Sequence, residues 1–132
     1  MYLLDTNICV AINEQNSQVL AEFYHKYAQC YVPTIVIAEL YKGVYCSQKI
    51  SANLNRIEQF LDFIPTVVEL DRQAAIEFGK IQGELRKLGR PTGEIDVLIA
   101  AIALSRGDIV VTNNIRHFSA IPNLQLENWL RK

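Results

Sequence analysis

Four polar positions sit where apolar residues surround them. Asp5 directly follows Tyr2-Leu3-Leu4, Glu39 interrupts Ile35-Val36-Ile37-Ala38 and Leu40-Tyr41, and Asp96 opens the apolar run Val97 to Leu104. Thr112-Asn113-Asn114 follows Ile109-Val110-Val111 in the same way that Asp5 follows its own run. Two carboxylates about 4 Å apart repel by about 4 kcal/mol at an effective dielectric near 20. Three that converge need protons or a cation. No His or Cys stands at a zinc-like spacing from them, so oxygen-only donors select a hard divalent ion, Mg²⁺ or Mn²⁺. Such an ion polarises phosphoryl oxygens and acidifies a bound water, chemistry suited to phosphodiester hydrolysis.

Each residue also has a plainer use. Asp5 and Asp96 could cap the helices that follow them, where a carboxylate gains about 0.3–1 kcal/mol. Glu39 could reach water at a rim or pair with Lys42, and Asn113-Asn114 could be turn residues.

The elements that must position these groups follow from periodicity. Tyr2-Leu3-Leu4 reads as a buried strand, with Thr6-Asn7 able to cap a helix through Asn13. Ser17 caps a helix to about Ala28 carrying Val19, Leu20, Phe23 and Tyr27; Cys30-Tyr31-Val32 is a strand, and Pro33-Thr34 opens the helix Ile35 to Cys46. Ile50 to Phe63 repeats the helical pattern with Leu54, Ile57, Leu61 and Ile64 on one stripe, and Pro65 stops it. Val67 to Leu70 is the third strand. Asp71 caps a long helix with Ala74, Ala75, Phe78, Ile81 and Leu85, closed by Gly89 and Pro91. Gly93 to Arg106 is a helix apolar nearly all round, Ile109 to Val111 a strand, and Leu124 to Leu126 a last one.

Uniformly apolar strands that alternate with helices predict a three-layer α/β/α sandwich on a mostly parallel sheet. In such sheets ligands bind beyond the carboxyl ends of the strands, the edge to which Asp5 and Thr112-Asn113-Asn114 are assigned.

Composition bounds the rest. With 132 residues, 50% of them apolar, and mean hydropathy +0.08, residues 1–132 are expected to form a single domain. No apolar stretch approaches the roughly 20 residues of a membrane span. Met1 to Asp5 carries none of the parts of a signal peptide, so a cytoplasmic protein is expected. Cys9, Cys30 and Cys46 fit neither a disulfide framework nor a CxxC site and read as small buried hydrophobes. The net charge of −1 excludes a broad positive field. Residues 1–70 hold four Lys/Arg and seven Asp/Glu, however, and residues 71–132 hold nine and seven. Arg86, Lys87, Arg90, Arg116, Arg131 and Lys132 lie in this basic half, which could serve phosphate contacts or be a solvated face.

Leu3-Leu4-Asp5-Thr6-Asn7, Ala38-Glu39-Leu40, Gly93-Glu94-Ile95-Asp96 with Ile99-Ala100-Ala101, Val111-Thr112-Asn113-Asn114 and Leu126-Glu127-Asn128-Trp129 together resemble the PIN-domain family, in particular its VapC-type toxins. Each motif alone is weak; the ordered set is specific. The resemblance implies a Mg²⁺- or Mn²⁺-dependent endoribonuclease with Asp5, Glu39 and Asp96 as the family's acids. Asn114 falls where many relatives hold a fourth acid, and its missing charge bears on occupancy by a second metal. Asp5 and Asp96 would bind the ion, Glu39 would ligate it or deprotonate the attacking water, and Thr112, Asn113 and Asn114 would position water or phosphate. Attack in line on phosphorus would leave a 5′-phosphate and a 3′-hydroxyl. Arg86 and Arg116 are candidates to hold substrate phosphates; His117 reads as a surface residue and His25 has no assigned role. The resemblance further implies a homodimer, an RNA substrate of which tRNA is one class, and a small VapB-like antitoxin partner. Helix-borne Tyr24, Tyr27, Tyr41 and Tyr45 are candidate interface residues. Two alternatives stand beside it: a PIN module that binds RNA or a partner without cutting, and a phosphatase-like domain with Asp5 as nucleophile.

Overall fold

The structure, a computed structural model, describes residues 1–130; Arg131 and Lys132 lie outside the described residues. Five strands build one sheet: β1 (Tyr2–Leu4), β2 (Cys30–Pro33), β3 (Val67–Val68), β4 (Ile109–Val111) and β5 (Gln125–Glu127). Their order is β3-β2-β1-β4-β5, and every pairing is parallel. The helices are α1 (Thr6–Asn13), α2 (Ser17–His25), α3 (Thr34–Tyr45), α4 (Ile50–Phe63), α5 (Arg72–Lys87), α6 (Glu94–Arg106) and α7 (Ile115–Phe118). They flank the sheet as the expected α/β/α sandwich.

Burial explains the strand compositions. Leu3, Leu4, Tyr31, Val32, Val110 and Val111 are all fully buried, as a sheet covered on both faces requires. On α6, Val97 and Ile99 to Ala103 are buried, which accounts for a helix with scarcely a polar side. Gly107 ends α6 in the left-handed conformation, φ +74°, that a side chain would oppose.

The topology locates a crevice. From β1 the chain winds outward through β2 and β3, then returns to place β4 on the other side of β1. The winding reverses between β1 and β4, and the carboxyl ends of that strand pair form the switch point at which open α/β sheets bind ligands.

Several boundaries differ from the sequence expectation for local reasons. Of the two cap readings for α1, Asp5 holds and Thr6-Asn7 does not, and Asn16 rather than Ser17 caps α2 by accepting from Gln18 and Val19 N–H groups. Helix α2 stops at His25, and Tyr27–Gln29 tightens into a 3₁₀ turn before β2. Strand β3 ends at Val68 rather than Leu70; among the described residues it pairs only with β2, and short edge strands limit unwanted pairing. The last strand begins one residue later and covers Gln125–Glu127. Cys9 and Cys30 are buried as expected, whereas Cys46 is exposed just past the end of α3. Ala75, placed on the apolar stripe of α5, is exposed; Ala74, Ile81 and Leu85 are the residues that face the core.

Candidate active site

Asp5 is the centre of a hydrogen-bond network at the switch point. It leaves β1 and caps α1, so its carboxylate is held at the carboxyl edge at only 4% exposure. Oδ1 accepts from the Thr6 N–H at 2.8 Å. Oδ2 accepts from the Thr112 hydroxyl at 2.8 Å and from Asn7 Nδ2 at 3.2 Å. Thr112 directly follows β4 and is fully buried, so these bonds tie the tips of the neighbouring strands β1 and β4 together.

Asn7 extends the network. Its Nδ2 also approaches the Thr112 hydroxyl at 3.4 Å, and its Oδ1 accepts from the Asn113 N–H at 2.8 Å. The Asn114 N–H donates to Thr112 Oγ1 at 3.0 Å, and Asn128 Nδ2 donates to Asn113 Oδ1 at 3.2 Å. A loop that sequence alone reads as a turn is therefore pinned to β1, β5 and the first turn of α1.

Glu39 and Asp96 approach from two other helices. Glu39 lies on α3, where its Oε1 accepts from the Thr6 hydroxyl at 2.6 Å. Asp96 lies in the first turn of α6, and its Oδ2 stands 3.4 Å from His117 Nδ1. Burial raises the Asp5 carboxyl above the usual carboxylate range; the Thr112 and Thr6 hydrogen bonds oppose this, and the charges of Asp96 and Glu39 add to it. Burial likewise raises Asp96, with His117 opposing and Glu39 adding. The charges of Asp96 and Glu39 thus act on Asp5, and that of Glu39 on Asp96, although 34 and 57 residues separate the three along the chain. Among the described residues no Lys or Arg forms an ion pair with any of them.

Glu39 and Asp96 open into two different hollows, and Asp5 lines neither. Glu39 lines one of about 280 Å³ with Thr6, Asn13, Asn53 and Arg56. Asp96 lines one of about 380 Å³ with Arg90, Thr92, Arg116 and His117. A third, about 650 Å³, shares Arg90, Pro91 and Thr92 with the second and holds Arg86.

The donor set fits a hard divalent cation in chemistry: three oxygen acids, two of them raised by burial and by one another, without a neutralising Lys or Arg. Among the described residues no three His, Cys, Asp or Glu side chains form a group that could hold a metal ion, so Asp5, Glu39 and Asp96 do not close into a three-acid cage. Mg²⁺ typically takes one or two carboxylates, keeps several waters and completes its shell with substrate phosphate, so it does not ask for an all-protein cage.

The sequence-selected residues separate by position. Asp5, Glu39, Asp96, Thr112, Asn113 and Asn114 lie at the carboxyl edge or on the helices that border it. Thr112 is fully buried with its hydroxyl proton on Asp5, so it positions that carboxylate rather than a water or phosphate. Asn113 is exposed and engaged with Asn7 and Asn128, while Asn114 is exposed at the start of α7. Arg116 lines the same hollow as Asp96, and Arg86 lines the next one. Asp5 is buried with both oxygens accepting, which leaves it poorly presented as the nucleophile of a phosphatase.

Sequence reasoning missed Asn7 and Thr6, whose side chains carry the network, and the contact of His117 with Asp96. The available signal was the Asp-Thr-Asn run itself, which puts two polar side chains in the first turn after a capping acid.

The PIN domain family profile matches residues 2–124. The chain belongs to the PIN domain family. It is 38% identical over 130 residues to ribonuclease VapC2 of Haemophilus influenzae, covering 98% of both chains. It is 36% identical to the tRNA(fMet)-specific endonuclease VapC of Salmonella typhimurium, covering 97% of each. A chain in the crystal structure of DNA-bound VapBC from Salmonella typhimurium superimposes with a TM-score of 0.91 at 36% identity, again over 97% of both chains. Within the PIN family this chain is therefore similar to the VapC ribonucleases along its length. No helix among the described residues is long and apolar enough to cross a membrane.

Proposed function

We propose that residues 1–132 act as one PIN-like unit, a Mg²⁺- or Mn²⁺-dependent endoribonuclease of VapC type that hydrolyses phosphodiester bonds in RNA. The observation that carries this is the coupled set Asp5, Glu39 and Asp96 at the β1/β4 switch point, in a chain similar to VapC ribonucleases. Asp5 and Asp96 would hold the ion, with Glu39 beside it. When bound, the ion supplies Lewis-acid polarisation of phosphoryl oxygens and lowers the pKa of a coordinated water.

The chain's own residues do the remaining work. Thr112 and Asn7 fix the Asp5 carboxylate, which a metal ligand needs if its lone pairs are to be aimed correctly. Glu39, held by the Thr6 hydroxyl, orients the attacking water and takes its proton. Exposed Asn114 offers an amide to a phosphate oxygen, while Arg116 and Arg90 supply counter-charge next to Asp96. Attack in line on phosphorus leaves a 5′-phosphate and a 3′-hydroxyl.

The substrate is a structured RNA, and tRNA is the class to test first, because two relatives are named tRNA(fMet)-specific endonucleases. The partner is a small VapB-like antitoxin, since similar chains were solved in VapBC complexes. The chain works in the cytoplasm as a homodimer. Tyr24 and Tyr45, 59% and 58% exposed, are available aromatic anchors for the interfaces. The decisive experiment is incubation of the purified chain with tRNA and Mg²⁺. Cleavage to 5′-phosphate ends, abolished by chelation and by Asp96→Asn, supports the proposal; cleavage unaffected by either contradicts it.

A further inference from the structure

We propose that the hollow beside Glu39 is a nucleobase seat that receives the base next to the scissile phosphate and thereby sets where a strand is cut. This rests on the ribonuclease proposal above. Val10, Leu40, Val44 and Ile57, drawn from α1, α3 and α4, give the hollow an apolar lining against which the face of a heterocycle can rest. At about 280 Å³ it has room for one such ring and some of its water, not for a folded RNA element.

The rim reads an edge. Asn13, Glu14, Asn53 and Arg56 offer an amide, a carboxylate, a second amide and a guanidinium, the donors and acceptors that distinguish one base from another. Asn53 is fixed by donating to Ser47 Oγ at 3.0 Å, so its amide is preorganised.

Charge assigns the ligand. Glu14 and Glu39 outnumber Arg56 in this hollow, which disfavours a phosphate and suits a neutral ring carrying amino donors. The hollow of Asp96 is the reverse, with Arg90 and Arg116 against one carboxylate. One nucleotide unit divides naturally between them, its base toward Glu39 and its backbone toward Asp96. Thr6 lines the base seat and donates to Glu39 at 2.6 Å, so a base seated there presses on the wall that carries this acid.

Gly43 makes the seat testable. It lies within α3 on the hollow, and a Cβ built there meets nothing within 4 Å. A larger side chain at this position meets no protein atom at its Cβ and stands at the wall of the hollow, and replacing a helical glycine does not weaken the helix.

The experiment uses the purified full chain, Mg²⁺ and RNA oligonucleotides that differ only at the nucleotides flanking the cut, including an abasic version of each. Wild-type protein should lose about tenfold in kcat/KM when the seated base is removed. Gly43→Phe should show that loss already with the intact RNA, mainly in KM, and little further loss with the abasic one. Arg56→Ala, a second variant that is exposed and independent of packing, should flatten the preference among bases at that one position. Wild-type KM, cut sites and abasic penalty in both variants overturn the seat while the nuclease proposal stands. A wild-type chain that cuts no RNA overturns both. Unchanged RNA kinetics with weakened binding of a cognate antitoxin peptide assign the hollow to that partner and also overturn the seat. Should Gly43→Phe lose its folded circular dichroism, Arg56→Ala decides alone.

Discussion

Thr112 Oγ1 donates to Asp5 Oδ2 at 2.8 Å although 107 residues separate them, and neither side chain has appreciable contact with solvent. The bond joins the tips of β1 and β4, the strand pair at which the winding of the sheet reverses. It also opposes the rise that burial imposes on the Asp5 carboxyl. Thr112→Val keeps the shape and removes the donor. The Asp5 carboxyl should then titrate still higher, moving the acid limb of the cleavage profile upward, and stability should fall by about 1–3 kcal/mol for the lost buried bond. Urea melts and a pH–rate profile check both.

Asp5 and Asp96 predict an unusual pH dependence for the metal-free chain. Both carboxyls are raised, chiefly by burial. An acid with a higher pKa folded than unfolded binds more protons when folded, so its contribution to stability falls as pH rises from about 4 through the raised value. The melting temperature in chelator should therefore decline through that window more in wild type than in Asp5→Asn. Millimolar Mg²⁺ should restore it at neutral pH, by mass action on the folded state. Differential scanning calorimetry across pH, with and without Mg²⁺, reads this directly.

Much of this site was legible in the chain, and the part that was not has a physical explanation. Asp5 and Thr112 follow uniformly apolar three-residue strands, and parallel sheets put such residues on one edge, so their meeting was foreseeable. Asp96 was legible because it directly precedes the stretch Val97 to Leu104 of α6, which is apolar throughout. Thr6 and Asn7 were not. As first-turn residues behind a capping acid, they looked like caps, and only the position of α3 and of the Thr112 loop shows what their side chains hold. His117 escaped for the same reason, since its contact with Asp96 joins α7 to α6 and leaves no periodic trace.

The arginines should separate by distance from Asp96. Arg116 and Arg90 line its hollow and Arg86 the next one. Arg116→Gln should weaken RNA binding about tenfold and lower the slope of log affinity against log salt by about 0.7, the value for one phosphate contact with a single strand. Arg86→Gln should do less. Filter binding of RNA in Ca²⁺ at several salt concentrations checks the order.

The opposite end of β4 supplies a control. Asp108 precedes that strand, and burial alone would raise its carboxyl, but the N-terminal ammonium at 3.0 Å and Arg106 Nε at 2.7 Å help to hold it below the usual range. A depressed acid contributes stability above its unfolded pKa and loses it as pH falls toward the folded value. Asp108→Asn should cost about 1–3 kcal/mol at neutral pH, an effect that fades in acid, and leave cleavage per folded molecule unchanged. Chemical denaturation at two pH values tests it.

The proposed cation-binding centre requires Asp5, Glu39 and Asp96 to act together. Mn²⁺ binding followed by electron paramagnetic resonance, in wild type and in Asp5→Asn, Glu39→Gln and Asp96→Asn, with tRNA cleavage measured on the same samples, tests this most directly. Asp5→Asn and Asp96→Asn should each weaken Mn²⁺ at least about tenfold and remove cleavage, while circular dichroism stays that of the wild type. Mn²⁺ bound with wild-type affinity in both aspartate variants, together with cleavage that persists, would contradict a shared acidic centre.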